Sequence, residues 1–276
     1  MRSFLLWVAS LSIFLAPLPA WALDIDTVEI FWLKDSVDGS PILNPFEFEI
    51  VVFFNDSTGL GAVELVSPGA GGTVALDEFA DEWGTDPGVL FASSADLFTG
   101  FPSGASYTLN FLDAPSLGGG TVIDFFTITL SPVEVTNTID ITAPAHQSVV
   151  PVDQSVTWTN CSACDGTTLG GFLIDEDTDT DTDEFFTSDL TTVAWSPTGM
   201  LYSTSYGFEM ILANYTHPFT PETSNLGDAF WFLSGFENIN MISVTSVPEP
   251  GGLAALESGI AMLALLYRRR RYLIGR

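Results

Sequence analysis

Between residues 44 and 56 the chain alternates strictly. Phe46, Phe48, Ile50, Val52 and Phe54 recur at every second position, and Glu47 and Glu49 open the other register. Successive side chains of a strand point to opposite faces, so this pattern suits a half-buried β-strand; a helix would space its apolar positions about 3.6 residues apart. The same alternation returns in Tyr107, Leu109 and Phe111, and again in Tyr206, Phe208, Met210 and Leu212. Further β-rich runs lie at 27–33, 121–130, 155–159, 171–174, 229–233 and 239–245, bounded by Gly, Pro, Asn, Asp and Ser. No long amphipathic helix is legible between 23 and 246; Asp77 to Trp83 is expected to make one short helical turn. The body is expected to be all-β.

Charge is the second constraint. Of 35 acidic residues only Glu249 and Glu257 lie in the C-terminal segment, which leaves 33 between residues 23 and 246 against the single base Lys34. A surface with no cationic patch cannot release counterions from a phosphate backbone, so nucleic acid is excluded as a partner. Binding to anionic membrane surfaces through a basic patch is excluded on the same ground. High net charge can mark disorder, but 13% aromatic content and the strong apolar pattern argue for a packed core.

About 224 residues of short strands fit two sandwiches, with a single sandwich bearing long loops as the alternative. The best boundary lies within residues 135–148, giving sandwich domains at 23–137 and 138–246. A weak internal echo supports the division: Pro102-Ser103-Gly104 leads to Tyr107, and Pro197-Thr198-Gly199 leads to Tyr206. In both, a Pro/Gly turn feeds a strand with an inward tyrosine. The second half, with Ile141-Thr142-Ala143-Pro144, Val156-Thr157-Trp158-Thr159, Trp195-Ser196-Pro197, Leu201 and Tyr206, resembles immunoglobulin-like and fibronectin type III-like domains. That resemblance implies a buried tryptophan on one sheet and a late tyrosine anchoring a corner. The expected class is therefore two tandem immunoglobulin-like β-sandwich domains.

Chemistry-bearing residues are few. Cys161 and Cys164 are the only cysteines; C-x-x-C can be redox-active or half a zinc site. The turn residues Asn160 and Asp165-Gly166 around the pair, with export, instead favour a local disulfide. Asp175, Asp177, Asp179, Asp181 and Asp183 fall at alternate positions, with carboxylates roughly 6.5–7 Å apart on one face if the chain is extended. Such an oxygen-rich strip suits Ca²⁺ or is a solvated loop; it is not an EF-hand, since Phe186 stands at the twelfth position. No nucleophile or phosphate-loop motif is present, and His146 and His217 sit beside prolines, so no enzyme is expected. Glycoside hydrolysis, which needs two carboxylates, is the catalytic alternative. Trp83, Trp195 and Trp231 are candidates for a sugar platform or for core, and Phe230-Trp231-Phe232 must place a ring on each face of a strand.

Both ends carry addresses. Arg2, the apolar run Phe4–Leu15 and Ala20-Trp21-Ala22 form a secretory signal peptide over residues 1–22, cleaved at Ala20 and Ala22, with Leu23 the first mature residue. At the other end come Val247-Pro248-Glu249-Pro250, an apolar run from Leu253 to Tyr267, and Arg268, Arg269, Arg270 and Arg271. With Gly251 and Gly252 the run is about 25 Å long as a helix, the short end of a membrane span, and the arginines would stay cytoplasmic. This ordered trio over residues 247–276 resembles the PEP-CTERM sorting signal of exopolysaccharide-producing Gram-negative bacteria. The resemblance implies Sec export, transient anchoring by a transmembrane helix, and cleavage by an exosortase-like membrane enzyme. The expected protein is an exported, acidic cell-surface or extracellular-matrix protein with a structural or adhesive role beside exopolysaccharide, with Ca²⁺ as the candidate cofactor. A carbohydrate-binding module is the alternative.

Overall fold

The computed structural model describes residues 23–247, apart from 80–81, 86–87, 115–119 and 179. The strands in chain order are β1 (Asp24–Val37), β2 (Ser40–Asp56), β3 (Ala62–Val66), β4 (Thr73–Ala75), β5 (Asp77–Glu78), β6 (Glu82–Gly84) and β7 (Val89–Phe91). A short helix, α1 (Ser94–Gly100), precedes β8 (Ala105–Leu112) and β9 (Val122–Leu130). The second half holds β10 (Ile141–Ala143), β11 (Ser148–Pro151), β12 (Val156–Trp158), β13 (Thr168–Asp175), β14 (Thr180–Thr187), β15 (Ala194–Trp195), β16 (Ser205–Thr223) and β17 (Ala229–Val247). The all-β, sandwich-type class read from the alternation holds. Residues 1–22 and 248–276, on which the expected signal peptide and most of the expected sorting signal fall, lie outside the described residues. Among the described residues no helix is long and apolar enough to cross a membrane.

The expected helical turn at Asp77–Trp83 is instead two strands: Glu78 pairs with Trp83 across β5 and β6, and the Trp83 ring is buried. The helix falls later, where Ser93 caps it by accepting the Asp96 amide at 3.2 Å and Leu97 turns into the core. Asp77 could have capped a turn at 77–83 as well, but pairing of Glu78 with Trp83 and burial of the Trp83 ring hold that segment as strands.

One ten-stranded sheet runs through the molecule in the order β14-β13-β16-β17-β1-β2-β6-β5, with β11 added to β17 and β7 to β2. The β1–β2 hairpin turns on Asp38-Gly39, both at positive φ (49° and 70°), the conformation a two-residue hairpin requires and Asp-Gly adopts readily. β16 and β17 each span 19 residues, on the order of 60 Å of strand. That length serves both halves. β17 pairs in parallel with β1 from Thr27↔Trp231 to Val37↔Met241, and beyond that with β11 from Ser148↔Val244 to Pro151↔Val247.

Two small sheets cover one face of this long sheet. The four-stranded β4-β3-β8-β9 lies over the β17–β1–β2 region, and the three-stranded β10-β12-β15 lies over β14, β13 and β16. Under the first, Trp32 meets Phe48 (5.2 Å) and Tyr107 (5.9 Å), and Phe48 stacks on Phe101 at 3.7 Å. Under the second, Phe185 contacts Trp158 (5.8 Å) and Trp195 (5.0 Å). Each sandwich buries a tryptophan whose indole N–H donates to a loop carbonyl: Trp32 to Phe101 and Trp158 to Thr192, both at 2.9 Å. Each also has a tyrosine corner. The Tyr107 hydroxyl donates to the Pro102 carbonyl at 2.8 Å, while the Tyr206 hydroxyl accepts the Leu201 amide at 2.7 Å. The echo in the sequence is thus two copies of one local device.

The stretch between the sandwiches, residues 131–140, contains no regular strand. It is held by side chains of β17 that are fully buried. Asn238 donates to the Val135 carbonyl (3.2 Å), and Asn240 donates to the Ile139 carbonyl (2.8 Å) while accepting the Gly39 amide (2.9 Å). Asp165 grips the same stretch from the second half, accepting the Thr136 amide at 2.9 Å and hydroxyl at 2.6 Å and the Asn137 amide at 3.2 Å.

Candidate functional site

The small sheets cover only one face. On the other, the strand registers set residues in cross-strand rows. Phe31, Gly235 and Tyr215 make one row across β1, β17 and β16; Leu33, Glu237 and Ala213 make the next. Toward the other edge, Ile211 is followed by Gly170 and Phe186, and Glu209 by Phe172 and Glu184. Two of these positions are glycines inside strands, which often marks close approach of another group. A Cβ on Gly235 would stand 2.9 Å from Tyr215 Cδ1, and one on Gly170 only 2.5 Å from Phe186 Cε1. The missing side chains let the rings lie down. Tyr215 reaches across Gly235 to Phe31 (6.4 Å, 63°), and Phe186 lies over Gly170 against Phe172 (5.4 Å, 77°).

The result is an open groove of about 570 Å³ whose walls include Phe31, Phe172, Phe186, Tyr215 and Phe219, with Glu29, Glu184 and Glu237 among them. Its rim is built by an irregularity in β16. The register with β17 slips between Tyr215 and His217 and again before Thr220, pushing Pro218 and Phe219 out of the ladder. Phe219 sits at φ 45° and is 56% exposed. A bulky residue in the left-handed region is strained, typically by about 1–3 kcal/mol, and such strain gathers at functional positions.

The floor is electrostatically unusual. Glu237 is only 7% exposed, and its Oε1 accepts the Tyr215 hydroxyl at 2.7 Å. Burial pushes its carboxyl up to about 7; the tyrosine hydrogen bond opposes the rise, and Glu29, Glu209 and Asp35 add to it. Burial, then the charges of Glu47, Glu237, Glu29 and Asp35, lifts Glu49 to about 7 as well. Asp35 rises to about 6 through burial and Glu47, and Glu29 rises through burial and Glu82. Burial and the neighbouring Glu237 hold the Tyr215 hydroxyl in its neutral form. Lys34, the single lysine or arginine from 23 to 247, has its ammonium 3.4 Å from the Thr136 carbonyl, at the seam between the sandwiches.

The residues singled out from sequence lie elsewhere. Cys161 and Cys164 form the expected local disulfide, with Cα atoms 5.1 Å apart in a turn. The aspartate strip lies in the β13–β14 hairpin. Asp175 closes its turn by accepting the Asp177 and Thr178 amides (2.9 and 3.2 Å), and Asp183 accepts the Thr198 amide at 2.6 Å. A register shift sets Asp183 and Asp181 opposite the consecutive residues Leu173 and Ile174, while Asp179 lies outside the described residues. Among the described residues no group of three or more His, Cys, Asp or Glu side chains is arranged to hold a metal ion. Val247 ends β17 beside Pro151. Pro248, Glu249, Pro250, Arg268, Arg269, Arg270, Arg271, Ala20 and Ala22 lie outside the described residues. His146 accepts the Ser243 amide (3.1 Å), and His217 packs on Phe232 (5.4 Å). Of the three candidate platform tryptophans, Trp83 is buried and Trp195 packs in the second sandwich, while Trp231 is 51% exposed between the buried Phe230 and Phe232.

The groove was not visible in the sequence. Its one signal was that β1 carries apolar residues in both registers, Val28, Ile30 and Trp32 in one and Phe31 and Leu33 in the other, as a strand does when both faces are shielded.

No family model matches the chain, and no curated protein matches it. Solved structures resemble it at low scores. They include chicken CNTN1 FN1-FN3 domains (8% identity, TM-score 0.26, 82% of this chain and 66% of that chain). A two-domain fibronectin type III segment of chicken tenascin matches at 13% identity and TM-score 0.21, over 68% of this chain and 90% of that one. A cytokine receptor complex matches at 13% identity and TM-score 0.23, over 67% and 82%. This chain thus spans just under two thirds of the CNTN1 fragment. At such scores the likeness carries nothing about activity.

Proposed function

We propose that this is an exported, acidic, non-enzymatic surface or extracellular-matrix protein of a Gram-negative bacterium, with a structural or adhesive role beside exopolysaccharide. The Sec machinery would export it, the C-terminal apolar segment would hold it briefly in the membrane with Arg268–Arg271 inside, and an exosortase-like enzyme would cut near Pro248–Pro250. The observation that carries this is the order of the tail: a short Pro-Glu-Pro motif, an apolar run and four adjacent arginines, in a chain with one other base beyond residue 22 apart from Arg276. The local disulfide agrees with an oxidising compartment. Ca²⁺ is the proposed bridge between the acidic body and an anionic polysaccharide, which would otherwise repel each other.

Deleting Pro248–Pro250 tests the route. The expected result is a protein retained in the cell envelope at the mass of the uncut chain. Wild-type mass and release in that mutant would defeat the sorting role. Calcium is tested separately: retention on an anionic polysaccharide should rise at millimolar Ca²⁺ and be lost in chelator, and identical retention in both removes it.

A second reading, a carbohydrate-binding module, has Trp231 in its favour. Its half-exposed ring borders a shallow pocket of about 230 Å³ with Asp24, Asp26 and Asn55, an apolar platform ringed by polar groups. Trp231→Ala should abolish retention on neutral polysaccharide if this is the platform, and unchanged retention excludes it.

A further inference from the structure

We propose that the groove on the open face of the ten-stranded sheet binds an organic cation with an apolar body, its ammonium group beside Glu237 and Glu29 and its hydrocarbon against Phe31, Phe172, Phe186 and Phe219. This goes beyond the sorting and matrix role and does not rest on it.

Four independent features converge. The groove volume of about 570 Å³ lies within the ordinary range for small-molecule sites, roughly 300–1,000 Å³. Gly235 and Gly170 let the Tyr215 backbone and ring and the Phe186 ring close directly onto the sheet, which sets these two walls of the groove. Phe219, at the rim, holds a strained backbone conformation with its ring half in solvent, a position that nothing in the core requires. At the centre stands Glu237, more than nine-tenths buried, which among the described residues accepts the Tyr215 hydroxyl and has the carboxylates Glu29, Glu209 and Asp35 as electrostatic neighbours. A buried carboxylate is costly without a cation, and none comes from Lys34, which is 3.4 Å from Thr136 at the seam.

Those features select among ligand classes. An anion would meet Glu29, Glu184 and Glu237 and be repelled. A bare divalent ion would want six or more oxygens, and the described residues gather no such set here. A neutral sugar could stack on the rings but would leave Glu237 to relieve its burial by holding a proton, whereas a cation favours its ionised form. An ammonium carried on an apolar chain satisfies both halves, ion pairing at the floor and ring faces around the cation and its methylenes. Binding would pull the Glu237 proton off, so affinity should rise with pH through neutrality, the direction in which its raised carboxyl ionises.

The probes are n-hexylammonium and its neutral isostere hexan-1-ol, titrated calorimetrically into the purified full-length protein at pH 8 and pH 5. The ammonium should bind at least about tenfold more tightly than the alcohol at pH 8, a gap that shrinks at pH 5. Glu237→Gln keeps an acceptor for Tyr215 and should weaken the ammonium about tenfold while leaving the alcohol unchanged. Glu29→Gln serves as the second variant should the first fail to fold. Phe172→Ala should weaken both ligands. The site is overturned by absence of ammonium binding at 10 mM (about the weakest binding such a titration resolves), by equal binding of alcohol and ammonium, or by indifference of both glutamine variants. It is equally overturned if a neutral oligosaccharide displaces the ammonium and binds more tightly.

Discussion

The two faces of the ten-stranded sheet are built from the same strands and differ in almost every other respect. On the covered face Val28, Ile30, Trp32, Phe48, Ile50, Phe208, Phe232 and Phe236 are essentially inaccessible to solvent. Polar groups there, the Trp32 indole and the amides of Asn238 and Asn240, are matched to carbonyls. On the open face, one residue along each strand, Phe31, Leu33, Ile211 and Leu233 alternate with Glu29, Asp35, Glu49 and Glu237. The carboxyls there are raised together by burial and by one another. The first face is filled by the chain's own side chains, with the Ser234 hydroxyl left buried without a partner among the described residues. The second is half-shielded, charged and unfinished, which is how a binding surface differs from a core.

The largest expected contrast is between Trp32→Ala and Phe172→Ala. The former should cost about 3–5 kcal/mol in denaturant unfolding, because it leaves a cavity against Phe48 and Tyr107 and frees a buried carbonyl. The latter, on the groove wall, should cost about 1 kcal/mol or less. Equal losses would erase the distinction between the faces.

Next in size is the pH dependence. A carboxyl raised in the fold stabilises it below the unfolded value of about 4.5, and that stabilisation is lost as pH climbs through the folded value. For Glu237, raised to about 7, the swing is about 3 kcal/mol between pH 4.5 and pH 8. Thermal unfolding midpoints should therefore fall over that interval, and Glu237→Gln should remove the part it contributes. A variant with the wild-type slope would show that the open face solvates this group after all.

Asn240→Ala sharpens the covered side. It leaves the Ile139 carbonyl and the Gly39 amide without their partner, and about 2 kcal/mol should go, with proteolysis appearing first within residues 131–140. Smallest is Phe219→Gly, expected to gain about 1 kcal/mol by relieving its left-handed backbone while lowering affinity for the ammonium probe. A stability loss would mean that the ring packs as a structural residue.

The strands were largely legible because alternation is a local property. Phe46 to Phe54 and Tyr206 to Leu212 announced their inner faces residue by residue, the repeated turn placed Tyr107 and Tyr206 inward, and the corner at Tyr206 came only with the resemblance to immunoglobulin-like domains. The disulfide was legible because only the two turn residues Ser162 and Ala163 separate the cysteines. The helix was misplaced because seven residues carry too little periodicity to outweigh the pairing of Glu78 with Trp83. The groove was illegible because its members come from five strands far apart in sequence, Glu29, Phe172, Phe186, Tyr215 and Glu237, none of which stands out alone.

By itself, the sequence determined the class of the fold, the inner register of its strands and the acidity of its body, since each can be read along the chain without knowing which segments meet. Tertiary structure decided that β16 and β17 would run through both halves as one sheet, and that only one face of that sheet would be covered. It decided, too, that a glutamate among many would be buried at the centre of the other face. Those outcomes depend on strand order and register between distant segments, and burial, which sets the energy of a charge, exists only once those segments have met.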